Sequence, residues 1–251
     1  MFKLGVLGRG IGYSLSPKIH LEFAKQLNYQ IEYLIYDVDK DPISFIRKFF
    51  SEGGFGLNIT KPYKDIVAHE FNPELVSVNC IYEKGLKANS TDGLGLTNDL
   101  YSKNIDYKNM NILVYGLGGA ANSILQTINT CKKIYISNRT PNKITNIAKK
   151  KNNLLEYSGE DVDLIINCAS SLDLNTLKDF EHFSLKKNGY IYDINYSNNT
   201  NINLKTLADS KKVNFHNGAG MLVEQAAECF RLWFNQKPHT TEVKNLLNER
   251  F

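Results

Sequence analysis

Between Asn111 and Gln126 the chain reads NILVYGLGGAANSILQ: an apolar run fit for a buried strand, a turn crowded with glycine, then a helix-forming run. That order leaves few folds open. A strand entering a helix through Gly116-Leu117-Gly118-Gly119-Ala120-Ala121 follows the Gly-x-Gly-x-x-Ala variant of the dinucleotide-binding turn. The first glycine permits the tight turn, the second lets a pyrophosphate approach the backbone, and the small third position allows helix and strand to pack. Unpaired N–H groups and a partial positive charge at the helix start then face the phosphates. Gly116, Leu117, Gly118, Gly119 and Ala120 are therefore the candidate cofactor contacts. The competing reading is a tight strand-to-helix turn that needs small residues for packing alone.

The end of the next strand indicates which dinucleotide. An NAD site usually carries an acid there, about 20 residues on, to hold the ribose 2′-hydroxyl. This chain has Ser137-Asn138-Arg139-Thr140, without an acid. Arg139 is suited to a 2′-phosphate, with neutral hydrogen bonds from Asn138 and Thr140, so NADP(H) is the expected cofactor. Arg139 as a solvated turn residue is the alternative.

Around this motif, short strand-like runs alternate with helix-like ones. Phe2–Leu7, Tyr33–Val38 and Phe55–Ile59 read as strands, with helices near Ser16–Leu27 and Pro42–Phe50 between them. A second series (NILVYG, KKIYIS, DLIINC, GYIYDI, KVNFH) begins at Asn111. Strands separated by helices imply crossovers and parallel sheets, and near-continuous apolar strands imply cover on both faces. The predicted class is α/β with two domains. The polar stretch Asn98–Asn109 reads as a connecting helix plus loop and holds the main boundary. The assigned spans are 1–100 for a substrate-binding and catalytic domain, 101–217 for a Rossmann-like NADP-binding domain, and 218–251 for C-terminal helices packing back on the first. A long helix is expected over Gly220–Gln236, with Leu222, Ala226, Cys229, Phe230 and Trp233 on an apolar stripe. The Asn-rich Asn198–Asn203 reads as a surface loop.

Composition narrows the function. A formal net charge of +4 is spread over 251 residues without a long basic block, and Lys149-Lys150-Lys151 reads as a solvated helix end, so nucleic acid is not expected as a partner. Cys80, Cys131, Cys168 and Cys229 are isolated, which argues for reduced thiols and against structural zinc; no metal is expected. The N-terminal MFKLGVLGRG lacks the long apolar core of a signal peptide. No run approaches the roughly 18 apolar residues of a membrane span. A cytoplasmic protein without membrane partners is expected.

A nicotinamide enzyme needs a group that moves a proton as hydride moves. In Asn58-Ile59-Thr60-Lys61-Pro62-Tyr63-Lys64 a strand breaks at proline and ends on a lysine, which places Lys64 at a strand's C-terminal edge, where open parallel sheets bind ligands. Asn89-Ser90-Thr91-Asp92-Gly93-Leu94-Gly95 supplies a carboxylate in a glycine-rich turn, and Asp92 is suited to orient the ammonium. Taken alone, Lys64 reads more readily as a surface lysine than as a catalyst.

With these motifs in order, the chain resembles the shikimate dehydrogenases from near residue 8 to near residue 235. Ser14-Leu15-Ser16-Pro17 with His20 looks like the family's substrate loop, and Asn58–Lys64 like its catalytic-lysine motif. Ser77-Val78-Asn79 and Thr91-Asp92-Gly93 resemble segments that hold a substrate-binding asparagine and the aspartate. Asn138-Arg139-Thr140 is similar to its NADP clamp. Asp193-Ile194-Asn195-Tyr196, followed by Thr200, and Asn217–Gln225 resemble its late motifs. The resemblance implies reduction of 3-dehydroshikimate to shikimate, with Lys64 and Asp92 catalytic. Ser14, Ser16 and Tyr196 would bind the carboxylate, and Thr60, Asn79, Asp92 and Gln225 the hydroxyls. Ile194 and Gly218 would flank the nicotinamide. It implies a small-molecule substrate and a monomer or homodimer. The chain departs from the family at Tyr13, usually His, at Ser90, usually Asn, and at Asn167-Cys168-Ala169-Ser170, more usually Asn-Ala-Thr followed by Ser or Pro. Rival readings are a broader quinate/shikimate dehydrogenase, a non-catalytic ligand-sensing relative and a folate-linked dehydrogenase.

Overall fold

The computed structural model describes residues 1–140, 154–169, 174–196 and 198–248. The Lys149-Lys150-Lys151 cluster and Ser170 lie outside them, as does the Thr200 side chain. The chain divides into two compact units, Met1–Leu96 with Leu222–Leu246, and Thr97–Met221 with Leu247–Phe251. The elements begin with β1 (Phe2–Gly8), α1 (Ser16–Gln26), β2 (Ile31–Asp37), α2 (Pro42–Ser51), β3 (Gly54–Ile59), α3 (Lys64–Phe71), β4 (Cys80–Tyr82), β5 (Lys87–Asn89) and α4 (Asp92–Ser102). They continue with β6 (Asn111–Tyr115), α5 (Gly119–Thr127), β7 (Lys133–Ser137), β8 (Leu154–Glu156), β9 (Val162–Asn167) and α6 (Leu174–His182). The last are β10 (Leu185–Asp193), α7 (Asn198–Lys211), β11 (Asn214–Asn217), α8 (Ala219–Phe234) and α9 (Thr241–Asn248). No described helix is long and apolar enough to cross a membrane.

The first unit is built on a five-stranded sheet ordered β2-β1-β3-β4-β5. Its first three strands are parallel because helices α1 and α2 carry the chain back between them. Helix α2 starts where Asp41 accepts a hydrogen bond from Ser44 N (3.1 Å) and Pro42, in the first turn, lacks only an N–H that would go unpaired. Strands β4 and β5 pair antiparallel and were not predicted; at three residues each they are too short for alternation to show. Successive residues of β1 serve opposite faces. Leu4 and Val6 join Tyr33, Cys80, Cys229 and Trp233 on one side, and Leu7 joins Ile46, Phe49, Leu57 and Val67 on the other.

Helix α8 docks on this sheet through Trp233. A Cβ at Gly56 would lie 2.4 Å from the indole nitrogen, so glycine is what lets the ring lie on β3. The indole N–H donates to the Ile81 carbonyl at 3.0 Å. Trp233→Ala is expected to cost about 3–5 kcal/mol, read as a lower urea midpoint. A loss below about 1 kcal/mol would mean that the indole does not anchor this helix.

The second unit holds an all-parallel sheet ordered β11-β10-β9-β6-β7-β8. Counted from β6, this is the doubly wound order in which strand direction of travel reverses beside the first strand, between β6 and β9. Ligands of such sheets bind at that switch point, outside the strands' carboxyl ends, and the glycine turn after β6 lies there. Ile112, Leu113 and Val114 of β6 and Leu164, Ile165 and Ile166 of β9 are all buried, as central covered strands require.

One sequence expectation fails. Asn198–Asn203 is not a surface loop but the first part of α7. Leu204 and Ala208, one turn apart, are fully buried, and the buried Asn201 donates to the Asn195 carbonyl at 3.1 Å. Tertiary burial thus overrides the weak helix preference of asparagine.

Candidate active site

In the first unit, Lys64 is the first residue of α3 and Asp92 the first of α4. Asp92 was expected in a glycine-rich turn; instead the Thr91 carbonyl accepts from Gly95 N at 2.8 Å, so the helix has already begun. An acid in a first helical turn is favoured by the helix dipole. The Lys64 ammonium donates to Asp92 Oδ2 at 2.6 Å, a charge-assisted bond with both side chains largely shielded, 19% and 6% exposed. The other carboxylate oxygen faces the Asn79 amide nitrogen at 3.0 Å.

Asn79 joins several elements. Its amide nitrogen also lies 2.9 Å from Gln225 Oε1 and 2.9 Å from Thr91 Oγ1, while its Oδ1 accepts from Thr91 N at 2.8 Å. The Thr91 hydroxyl donates to the Gln225 carbonyl at 2.9 Å. Lys64, Asp92, Asn79 and Gln225 are therefore one connected set. Beneath them, Asn58 donates to the Asn79 carbonyl (3.1 Å) and accepts from Tyr33 Oη (2.7 Å). Thr91 and Asn58 support the set, although in sequence they stand out only as motif members, since neither residue type signals such a role by itself.

The loop before α1 brings Ser14 and Ser16 together, with Ser14 Oγ donating to Ser16 Oγ at 3.2 Å. Asp37, not singled out in the sequence, fastens this loop by accepting from Gly10 N (2.8 Å) and Ile11 N (3.1 Å). Thr60 lies in the turn that leads to Lys64, its N–H donating to the Leu7 carbonyl at 2.9 Å. His20 is fully buried and stacked on Tyr33 (ring centroids 4.6 Å apart); burial pushes its pKa down to about 3, so it is a neutral core residue.

In the second unit, Gly116 has φ +87°, and a Cβ there would meet Ala169 N at 2.7 Å, so the turn needs glycine for conformation and for space. Gly118 is the N-cap of α5, with Gly119 and Ala120 following in the first turn. Nothing lies within 4 Å of a Cβ built on Gly118, which leaves room for a pyrophosphate at the helix start. Leu117 N donates to Asn138 Oδ1 (3.1 Å), and Asn138 Nδ2 donates to the Thr140 carbonyl (3.0 Å). Asn138 thus braces the glycine turn against the end of β7 and keeps one amide hydrogen for a ligand. Arg139 and Thr140 are exposed, and Arg139 lines a recess of about 560 Å³ with Ser137, Asn138, Tyr157, Asp179 and His182.

Ile194 and Gly218 meet directly: a Cβ on Gly218 would fall 2.0 Å from the Ile194 carbonyl oxygen. Gly218 N also donates to the Asn195 carbonyl at 2.9 Å. Ile194 follows the buried Asp193, whose Oδ1 accepts from Asn167 Nδ2 (2.9 Å), Asn195 Nδ2 (2.8 Å) and Asn195 N (3.1 Å). Burial raises its pKa from the ordinary carboxylate value to about 6, against the opposing effect of these hydrogen bonds. A raised carboxylate pKa means that the folded state holds the proton that the unfolded state has released. The stability Asp193 contributes is therefore full below pH 3.8 and is lost as pH rises to about 6. Folding stability at pH 7 is expected to gain on the order of 2–3 kcal/mol less from this group than at pH 4. Titration of the Asp193 carboxyl by NMR tests this; a midpoint near 4 would refute it.

Comparison with known proteins adds to this geometry. Residues 6–74 match the family model described as the shikimate dehydrogenase substrate binding domain, and residues 218–247 match that of the shikimate 5′-dehydrogenase C-terminal domain. The chain is 37% identical to the shikimate dehydrogenase (NADP(+)) of Vesicomyosocius okutanii subsp. Calyptogena okutanii, over 97% of this chain and 98% of the relative. It is 33% identical to the enzyme of the same name from Ruthia magnifica subsp. Calyptogena magnifica, again over 97% and 98%. The fold matches that of shikimate 5-dehydrogenase from Thermus thermophilus, solved with NADP(H) and shikimate. There the TM-score is 0.86 at 22% identity, with 100% of both chains covered.

Proposed function

The chain belongs to the shikimate dehydrogenase family, and from that premise we propose that it reduces 3-dehydroshikimate to shikimate reversibly with NADPH, using Lys64 as proton donor and Asp92 as its partner. One observation carries the assignment of roles: the 2.6 Å bond between the Lys64 ammonium and Asp92, held in register by Asn79 and Gln225.

Bound NADPH supplies the hydride that reaches the substrate's carbonyl carbon. As negative charge grows on the carbonyl oxygen, the Lys64 ammonium gives it a proton, and in the reverse direction the neutral amine takes that proton back. Asp92 holds the ammonium in place through Oδ2 and is itself held by Asn79 through Oδ1. Its remaining lone pairs, with Thr60, Asn79 and Gln225, serve the ring hydroxyls. Ser14, Ser16 and Tyr196 receive the carboxylate. The turn from Gly116 to Ala120 receives the pyrophosphate, Asn138, Arg139 and Thr140 the 2′-phosphate, and Ile194 and Gly218 the nicotinamide. In this reading residues 1–100 serve the substrate, 101–217 the cofactor, and 218–251 bring Gln225 to the substrate. A cytoplasmic location and a monomeric or homodimeric state go with it.

The test is the fall in NADPH absorbance with 3-dehydroshikimate, with 3-dehydroquinate as control. Turnover with the first and little with the second is expected. No turnover of 3-dehydroshikimate would overturn the proposal, and equal turnover of both would favour the broader quinate/shikimate reading. A ligand-sensing relative is disfavoured by the intact Lys64–Asp92 pair.

A further inference from the structure

Resting on that reading, we propose that Lys61, seated on the ring of Tyr13, is a specificity residue that engages the substrate carboxylate beside Ser14 and Ser16. A carboxylate leaving water needs strong donors or a cation. Ser14 and Ser16 are neutral, and one hydroxyl hydrogen is already spent between them, Ser14 Oγ donating to Ser16 Oγ at 3.2 Å. The Ser16 backbone N–H in turn points at Ser14 Oγ, 3.3 Å away. The Lys64 charge is balanced by Asp92 at 2.6 Å, so it offers the carboxylate little net attraction.

Lys61 differs from both. Its ammonium lies 5.6 Å from the centroid of the Tyr13 ring, within the range of a cation–π contact. Among the described residues no carboxylate forms an ion pair with it. Asp37, the acid that serves this loop, has both oxygens on backbone N–H groups. The backbone brings the two segments together as well. Arg9 N donates to the Lys61 carbonyl at 3.1 Å, and Thr60 N to the Leu7 carbonyl at 2.9 Å. The ring that seats the ammonium immediately precedes Ser14 in the chain. An aromatic face restricts a flexible lysine without neutralising it, which keeps the charge available for an anion. Tyr13, one of the positions where this chain departs from its family, thereby acquires a purpose: it positions Lys61 rather than contacting the substrate.

The experiment measures oxidation of shikimate and of its methyl ester with NADP⁺ by the wild-type chain and by Lys61→Met, which keeps an unbranched apolar stem without the charge. For shikimate, KM is expected to rise about threefold to tenfold, with kcat nearly unchanged, as for loss of an interaction made equally in ground and transition states. The KM for NADP⁺ should not move. For the ester, wild type and variant should agree, because the charge that Lys61 meets is gone. Lys61→Arg should restore most of the affinity, and Tyr13→Leu should raise KM in the same direction by a smaller factor. An unchanged KM in Lys61→Met, or an equal rise on the ester, would overturn the inference while leaving the proposed function intact. A wild-type chain that fails to oxidise shikimate would overturn both.

Discussion

Replacing Lys64 by alanine is expected to lower kcat for 3-dehydroshikimate reduction by about 10²–10⁴, the usual worth of a positioned general acid. The dissociation constant for NADPH should barely change, because the lysine and the glycine turn are parts of different compact units. The loss should appear in kcat and kcat/KM alike, the pattern of an interaction made in the transition state. One side effect is built in: without the ammonium, Asp92, whose side chain is 6% exposed, keeps Asn79 but loses its counter-charge. A thermal melt therefore accompanies the assay, to separate lost chemistry from lost fold. Lys64→Arg sharpens the test. It preserves the charge beside Asp92, yet a guanidinium does not give up its proton near neutral pH. If arginine restores turnover, charge alone suffices and the proton-donor role fails. If turnover stays low while NADPH still binds, the role stands.

The second large effect concerns cofactor choice. Arg139→Ala is expected to weaken NADPH about 10–100-fold, the worth of charge-assisted hydrogen bonds to a phosphate, and to leave NADH nearly unaffected. The structural basis is the recess of about 560 Å³ at the end of β7, where Arg139 stands exposed beside Ser137 and Asn138, and where the Asp179 carboxylate in the lining accepts from Tyr115 Oη at 2.6 Å. Asn138 cannot replace the arginine, since its carbonyl oxygen and one amide hydrogen brace the glycine turn and the Thr140 carbonyl. Fluorescence titration with both cofactors measures the difference. Equal losses for NADPH and NADH would place Arg139 elsewhere than on the 2′-phosphate.

How much of this was legible beforehand varied with the range of the interaction. Strands β1, β3, β6 and β9 announced themselves, because fully covered strands demand unbroken apolar runs. The glycine turn was equally readable: Gly116 needs a positive φ and close approach to Ala169, and both requirements belong to one residue type. Helix α8 was expected over Gly220–Gln236 and forms over Ala219–Phe234, its apolar stripe being strong enough to set its limits closely. Strands β4 and β5 escaped notice because three residues carry no measurable period. The Asn-rich start of α7 was misread because its helicity depends on burial of Leu204 and on the hydrogen bond from Asn201.

The site divides in the same way. Lys64 was visible as a lysine at a broken strand, Asp92 as an acid among glycines, and family resemblance supplied the roles expected of them. That the two would touch was not legible in either motif. They stand 28 residues apart, and Asn79 and Gln225, which complete the set, stand 146 apart. The braces at Asp37, Asn58 and Asn138 gave no local signal, since a polar residue that satisfies a neighbouring backbone looks in sequence like any solvated one.

By itself, then, the amino-acid order determined the long strands and the amphipathic helices, the glycine turn that opens at Gly116, and which cofactor is favoured. Each of these depends on hydrophobic period, glycine conformation or side-chain charge within a few residues. Only the tertiary structure decided that Lys64 meets Asp92, that Trp233 settles over Gly56, and that the Ile194 carbonyl rests on Gly218. Hydrogen bonds of 2.6–3.0 Å and contacts closer than a methyl group allows depend on how sheets and helices pack, and packing is a property of the whole core rather than of any stretch of chain.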